Sequence, residues 1–148
     1  MTTPVSPTIG VIVISHGQFA TELLNAAEMI VGDLPGFTAV SIGWHDDVTV
    51  AREAIERAIA KVDHGHGVLL LTDMFGGTPS NLGLSFLEAG HIEVLTGANL
   101  PMLIKLAKAP ASTDLVALAR EICEHGRVAI RVASDLLRGD SDTGARQP

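Results

Sequence analysis

Residues 68–79 read VLLLTDMFGGTP, and the rest of the chain can be organised around them. Val68 to Leu71 form an apolar run of strand length, and the pattern predicts a strand over Val68–Asp73 with both faces buried. A polar, glycine-rich turn follows it. Pro79 then suits the first turn of a helix running to Gly90, because its missing N–H would be unpaired there anyway. A buried strand, a glycine turn and a helix in succession are one unit of an α/β sheet.

The same alternation extends in both directions. Thr8–Ser15 (TIGVIVIS) is continuously apolar and rich in β-branched residues, which predicts another strand buried on both faces. Gly17–Gly32 reads as a helix with Phe19, Leu23, Ala26 and Ile30 on one side and Gly32 at its end. Phe37–Gly43 reads as a weaker strand. Asp47 or Thr49 can cap the next helix, on which Val48, Ile55, Ile59 and Val62 share a face. Beyond the central stretch come a short strand, Ile92–Thr96, and a short helix, Leu100–Ala109. A helix over Asp114–Glu124 follows, with Gly126 stopping it. Arg127–Ala133 (RVAIRVA) alternates in part and reads as an edge strand. Strands alternating with helices imply a doubly wound, mainly parallel sheet of four strands with helices on both faces, plus that C-terminal strand.

The chain has 148 residues, which fits one domain over residues 8–134. Residues 1–7 are expected to be flexible, and residues 135–148 to hold a helix end and a disordered tail. Aromatics are 3% of a composition that is 47% hydrophobic, so the core must be aliphatic. The net charge of −7 argues against nucleic acid, whose affinity comes largely from Lys and Arg. No apolar run approaches the ~18 residues that span a bilayer, so membrane insertion is not expected. The N-terminus lacks a basic segment followed by an apolar one and does not read as a signal peptide. Cys123 is the lone cysteine, which makes a reducing, cytoplasmic setting the default.

In a doubly wound sheet, ligands bind beyond the carboxyl ends of the strands, where the strand order switches. Ser15-His16-Gly17 follows the first strand, Asp73 to Pro79 the third, and Thr96-Gly97-Ala98-Asn99 the fourth. His16 taken alone suits either a helix cap or a nucleophile. Asp73 favours the second reading. If the first and third strands are neighbours, they lie ~4.8 Å apart and place His16 and Asp73 within side-chain reach. A carboxylate there would fix the imidazole tautomer and leave the other ring nitrogen free to attack. Gly76 and Gly77 let successive N–H groups turn inward as a nest for an anion, with the Thr78 hydroxyl as a further donor, although the same residues also suit a plain tight turn. A phosphoryl group on a histidine nitrogen meets this description, because its transfer needs mainly positioning and charge stabilisation. The residues call for no cofactor. The Walker and dinucleotide glycine patterns are absent. His64 and His66, in a glycine-rich connection, do not amount to a metal site. Ser15 is adjacent to His16 on an extended segment and so points away from its ring, which argues against a hydrolase triad.

Ser-His-Gly at residues 15–17, Thr-Asp-Met-Phe-Gly-Gly-Thr-Pro-Ser-Asn at 72–81 and Gly-Ala-Asn-Leu-Pro-Met-Leu at 97–103 resemble the IIA domain of the mannose-type (type 4) bacterial sugar phosphotransferase system. The resemblance covers about residues 8–134. It implies a phosphotransferase component in which His16 takes a phosphoryl group from the phosphocarrier HPr, on Nε2, and passes it to a IIB subunit. It implies that Asp73 holds Nδ1–H, and that Thr78 and the neighbouring amides hold the phosphoryl oxygens. It also implies a homodimer in which a last strand, about Arg127–Val132, is exchanged. In some relatives a IIB domain is fused to the IIA domain. Here ten residues follow Arg138, so the IIB subunit is expected to be a separate protein. Gln18 stands where some relatives carry an aromatic, and the Trp44-His45-Asp46 loop follows no recognisable pattern.

Other functions fit some of these residues. The protein could be a regulatory relative whose phosphorylation state is sensed by a partner, or the carrier subunit of a dihydroxyacetone kinase system. The complete Asp-Met-Phe-Gly-Gly-Thr-Pro motif favours the sugar branch. A metal-dependent hydrolase using the histidines would require a stoichiometric ion.

Overall fold

The computed structural model describes residues 8–110 and 114–139. The expectations for residues 1–7 and for the last residues of the chain lie outside that range. Four strands form the sheet: β1 (Gly10–His16), β2 (Phe37–Ile42), β3 (Val68–Thr72) and β4 (Ile92–Thr96). Their order is β2-β1-β3-β4, and every pairing is parallel. The chain moves outward from β1 to β2, then crosses back to β3 on the other side of β1. The strand order therefore switches between β1 and β3.

Helices cover both faces. These are α1 (Phe19–Val31), α2 (Val48–Val62), α3 (Thr78–Leu84), α4 (Leu100–Ala107), α5 (Leu115–Val128) and α6 (Ala133–Leu137). Successive strand residues point to opposite faces. Val11, Val13, Leu69 and Leu71 accordingly pack with α1, α4 and α5 in one aliphatic layer. Ile12, Ile14, Val68 and Leu70 pack with α2 and Leu82 of α3 in the other. Continuous apolar runs are what a two-sided parallel sheet requires, because no strand face is left for water.

Several boundaries and faces differ from the sequence reading. On α1 the buried stripe is Ala20, Leu23 and Ala27, whereas Phe19 and Ile30 are exposed. On α2 it is Ala51, Ile55, Ala58 and Val62, with Val48 exposed. Alanines take much of each buried stripe, because a small side chain lets a helix lie close to the sheet. Helix α3 stops at Leu84 rather than Gly90. The Ser85 hydroxyl donates to the Leu82 carbonyl, and the next amides bond three residues back instead of four.

The largest correction concerns Arg127–Ala133, which is not a strand. Helix α5 runs through Gly126 to Val128, and α6 begins at Ala133. The N–H groups of Ala129 and Ile130 donate to His125 and Arg127 carbonyls, so the segment leaves α5 in turn geometry. A strand needs a paired neighbour for its amides, and among the described residues this segment has none. Gly126 does not stop the helix. It lets α5 approach α4, because a Cβ at this position would overlap the buried Met102 side chain.

Candidate functional site

His16 is the last residue of β1, and Asp73 follows β3 directly. The two strands are neighbours with Ile14 opposite Thr72. The Asp73 N–H continues this ladder by donating to the Ile14 carbonyl at 3.2 Å. That contact brings the carboxylate under His16. Asp73 Oδ2 accepts the His16 backbone N–H at 2.9 Å and lies 2.7 Å from Nδ1 of the ring. Asp73 Oδ1 accepts the Met74 N–H at 3.0 Å. An ionised carboxylate has no proton to give, so Nδ1 carries the hydrogen and Nε2 presents its lone pair. Asp73 is mostly shielded, with its side chain 15% exposed, while the His16 side chain is 52% exposed. The pair thus has a sheltered anchor and an exposed ring, on which Nε2 is the nitrogen that Asp73 leaves unengaged.

The glycine turn closes over this atom. Gly76 and Gly77 have φ of 93° and 86°, a left-handed region that disfavours residues with a Cβ. A Cβ on Gly77 would sit 3.0 Å from both Nε2 and Cε1 of His16. Only a glycine leaves that side of the nitrogen open. Thr78 follows as the exposed first residue of α3, with Pro79 beside it in the first turn. The structure therefore brings His16, Asp73 and Gly77 together, and places Gly76 and Thr78 on either side of Gly77 in the chain.

Several contributions were not anticipated from sequence. The Ser15 hydroxyl is fully buried, donates to the Gly17 carbonyl at 3.3 Å and accepts the Ala20 N–H at 2.6 Å. It fixes the turn from β1 into α1 and so orients His16 from behind. A serine five residues ahead of a helical N–H was the available signal. Asn99 caps α4 by accepting the Met102 N–H, and its amide reaches the Gly126 carbonyl at 3.2 Å, tying α5 to the same sheet end. The Ser80 hydroxyl in α3 is buried and has no hydrogen-bond partner among the described residues.

The other sequence candidates lie elsewhere. Asp63 caps the end of α2, accepts the Gly65 N–H at 2.9 Å and pairs with His91 Nε2 at 2.8 Å, at the opposite pole of the sheet. The Gly65 N–H contributes most to holding the Asp63 carboxyl below its ordinary value. Burial opposes this, and His91 adds to it. His64 borders a cavity of about 500 Å³ at that pole, lined by Ile9, Leu34, Phe37, Leu106 and Leu118. The cavity lies at the other end of the sheet from His16, and its lining includes His64 and Asp33 but neither His16 nor Asp73. Among the described residues no group of three or more His, Cys, Asp or Glu is placed to hold a metal ion. No helix among them is long and apolar enough to cross a membrane.

The chain is similar to several known proteins. The chain is 36% identical over 134 residues to the mannose-specific EIIAB component of the PTS system in Escherichia coli K12. The match covers 84% of this chain, which spans 40% of the relative's length. It is 29% identical over 130 residues to the fructose-specific EIIA component of Bacillus subtilis 168, covering 87% of this chain and 89% of that one. A crystal structure of the PTS IIA protein associated with the fucose utilization operon of Streptococcus pneumoniae superposes with a TM-score of 0.79 at 27% identity, covering 90% and 98% of the two chains. The mannose/sorbose specific IIA subunit from Enterococcus faecalis gives 0.75 at 28% identity, covering 84% and 94%. Residues 10–123 match the family described as the PTS system fructose IIA component, EIIA-man. With the parallel sheet and the His16–Asp73 pair at its switch point, these matches show that the chain belongs to this family of sugar phosphotransferase IIA components.

Proposed function

We propose that this protein is a phosphohistidine carrier in sugar uptake, accepting a phosphoryl group from HPr on His16 Nε2 and passing it to a IIB partner. The observation that carries this reading is the 2.7 Å contact between Asp73 Oδ2 and His16 Nδ1, which leaves Nε2 as the free, accessible nucleophile. The bond from phosphorus to the donor atom breaks as the Nε2–P bond forms, and the Nδ1 proton stays in place. The ring becomes cationic while it holds the phosphoryl group, and Asp73 balances that charge. The backbone around Gly76 and Gly77, with the Thr78 hydroxyl, receives the phosphoryl oxygens. Onward transfer reverses these steps toward the IIB acceptor. The chemistry uses no cofactor. A homodimer completes the proposal: Ile130, Val132, Leu136 and Leu137 are all exposed beyond α5, and a second copy would cover them.

The test is incubation with phosphoenolpyruvate, enzyme I and HPr. One acid-labile phosphate per chain is expected, and none on His16→Ala. A His16→Ala protein that still acquires the phosphate would place the acceptor elsewhere.

A further inference from the structure

Trp44 is the chain's one tryptophan, and 97% of it is exposed. Tryptophan is highly buried on average, so such exposure at an arbitrary surface position would be wasteful. This position is not arbitrary. Ile42, the last residue of β2, is paired with His16 in the parallel ladder. The Gly17 N–H donates to the Ile42 carbonyl at 2.7 Å. Trp44 therefore stands two residues beyond the strand partner of the reacting histidine, on the same rim of the sheet.

Its turn is held in place. The Gly43 N–H donates to Asp46 Oδ2 at 2.6 Å, and the Asp46 N–H donates back to the Gly43 carbonyl at 3.3 Å. Asp47 then caps α2 through the Thr49 N–H. The indole is thus carried on a preorganised loop, which lowers the entropy lost when it docks. Across β1, Met74 and Phe75 follow Asp73 directly and are also exposed, and Phe19 opens α1 behind Gly17. Four large apolar side chains thus lie on the loops and helix start next to one reactive nitrogen. Exposed apolar side chains gathered at one sheet end suit a protein interface, and aromatic anchors dominate the energy of such interfaces once buried. The exposed Asp46 and Asp47 flank the indole, and the chain carries a net charge of −7.

We propose that the Trp44–Asp47 loop is the anchor that docks the phosphoryl donor protein. The donor's matching face would be an apolar patch beside its phosphorylated side chain, bordered by basic groups that meet Asp46 and Asp47. The inference rests on the carrier reading above and adds the surface that selects the donor. Asp46 and Asp47 set the charge of the occupant, and direct transfer brings a donor to this place, because its phosphorus must come within about 3–3.5 Å of His16 Nε2. At that distance the donor's surface lies against the rim.

The experiment compares two phosphoryl sources on wild type and Trp44→Ala. Phosphorylated HPr must dock, whereas phosphoramidate is a small donor that needs no docking surface. Trp44→Ala should lose about 30-fold or more in kcat/KM with phosphorylated HPr, mainly through KM, with Trp44→Phe in between. With phosphoramidate the two proteins should agree within about twofold. Trp44 emission should shift to the blue when HPr is added and its own signal subtracted. An unchanged rate from HPr overturns the inference, as does an equal loss with both donors, which would mean that Trp44 shapes the site itself. A loss confined to transfer onto IIB would also overturn it and assign the loop to the acceptor. A wild-type protein phosphorylated by neither source would instead sink the carrier reading first.

Discussion

One oxygen of Asp73 holds His16 at two points. Oδ2 accepts the backbone N–H at 2.9 Å and meets Nδ1 of the ring at 2.7 Å. The two residues are 57 positions apart in the chain. A single carboxylate thus fixes where the histidine sits and which nitrogen is free. Placement and chemistry are coupled, and substitutions at Asp73 can separate them.

Asp73→Asn keeps an acceptor for the backbone N–H but loses the charge that balances a cationic ring. A charge-assisted hydrogen bond contributes ~1.5–3 kcal/mol. Fully expressed in the transition state, that is about 10–150-fold in rate. Asp73→Asn and Asp73→Ala should both slow single-turnover phosphorylation by amounts in this range, and Asp73→Ala should also lose about 1–3 kcal/mol of stability by leaving the His16 amide unpaired. Stopped transfers from phosphorylated HPr, beside urea unfolding, would check both. Wild-type rates in either variant would remove the proposed role of Asp73.

Gly77→Ala should block the acceptor nitrogen. Its φ of 86° and ψ of 173° lie in a region that is essentially glycine-only, so the substitution should cost ~1–3 kcal/mol. The new methyl would stand 3.0 Å from Nε2. A displacement of the ring by about 1 Å to relieve this would reduce phosphorylation by about 100-fold. The measurement is phosphate incorporation by protein whose circular dichroism remains native. Full incorporation at the wild-type rate would show that this side of the nitrogen is not the approach path.

At Gly126 two effects oppose each other. Alanine is favoured over glycine inside a helix by ~1 kcal/mol. Against that, the added Cβ would overlap Met102 Cε and lie 2.9 Å from its Cγ, in a position that is 4% exposed. Overpacking costs typically about 1–3 kcal/mol. Gly126→Ala should therefore be net destabilising in wild type and less so, or stabilising, in a Met102→Ala background. Urea midpoints for the four proteins of that cycle give the answer. Equal effects in both backgrounds would mean that α5 can shift away from α4 freely.

Asp63 gives the protein an acid-sensitive contact away from the site. Its carboxyl is held below its ordinary value of 3.8, first by the Gly65 N–H and further by His91, with burial acting against them. A depressed folded-state value stabilises the fold well above pH 3.8, and the contribution is lost as the pH falls through 3.8 toward the lower folded value. Wild type should lose stability over this window more steeply than Asp63→Asn. Thermal midpoints measured from pH 6 to pH 3 would show it, and parallel curves would refute it.

Much of the fold was legible because a sheet buried on both faces has a plain signature. GVIVIS and VLLL cannot face water on either side, and the glycines and Pro79 mark where each strand yields to a helix. The candidate site stood out in the sequence for a related reason. Polar and glycine residues in an otherwise apolar framework gather at strand ends, and His16, Asp73, Gly76, Gly77 and Thr78 all stood there. The helix faces were read less well. Apolar spacing points to Phe19, Ile30 and Val48 as buried, whereas the alanines at 20, 27, 51 and 58 occupy the buried stripes. Arg127–Ala133 was misread because partial alternation over seven residues also fits the end of a helix, and the amides there close turns when no strand lies beside them.

Local sequence was therefore enough to establish the alternation of strands and helices and the chemical character of each strand end, since both follow from neighbours in the chain and from burial. The strand order was a tertiary decision. Placing β1 beside β3 rather than leaving it beside β2 alone brings a histidine and an aspartate 57 residues apart to 2.7 Å. The same packing set Gly77 against Nε2 and carried α5 past Gly126 onto Met102. Distances between segments remote in sequence depend on how the two aliphatic layers pack around the sheet, and no local pattern encodes them.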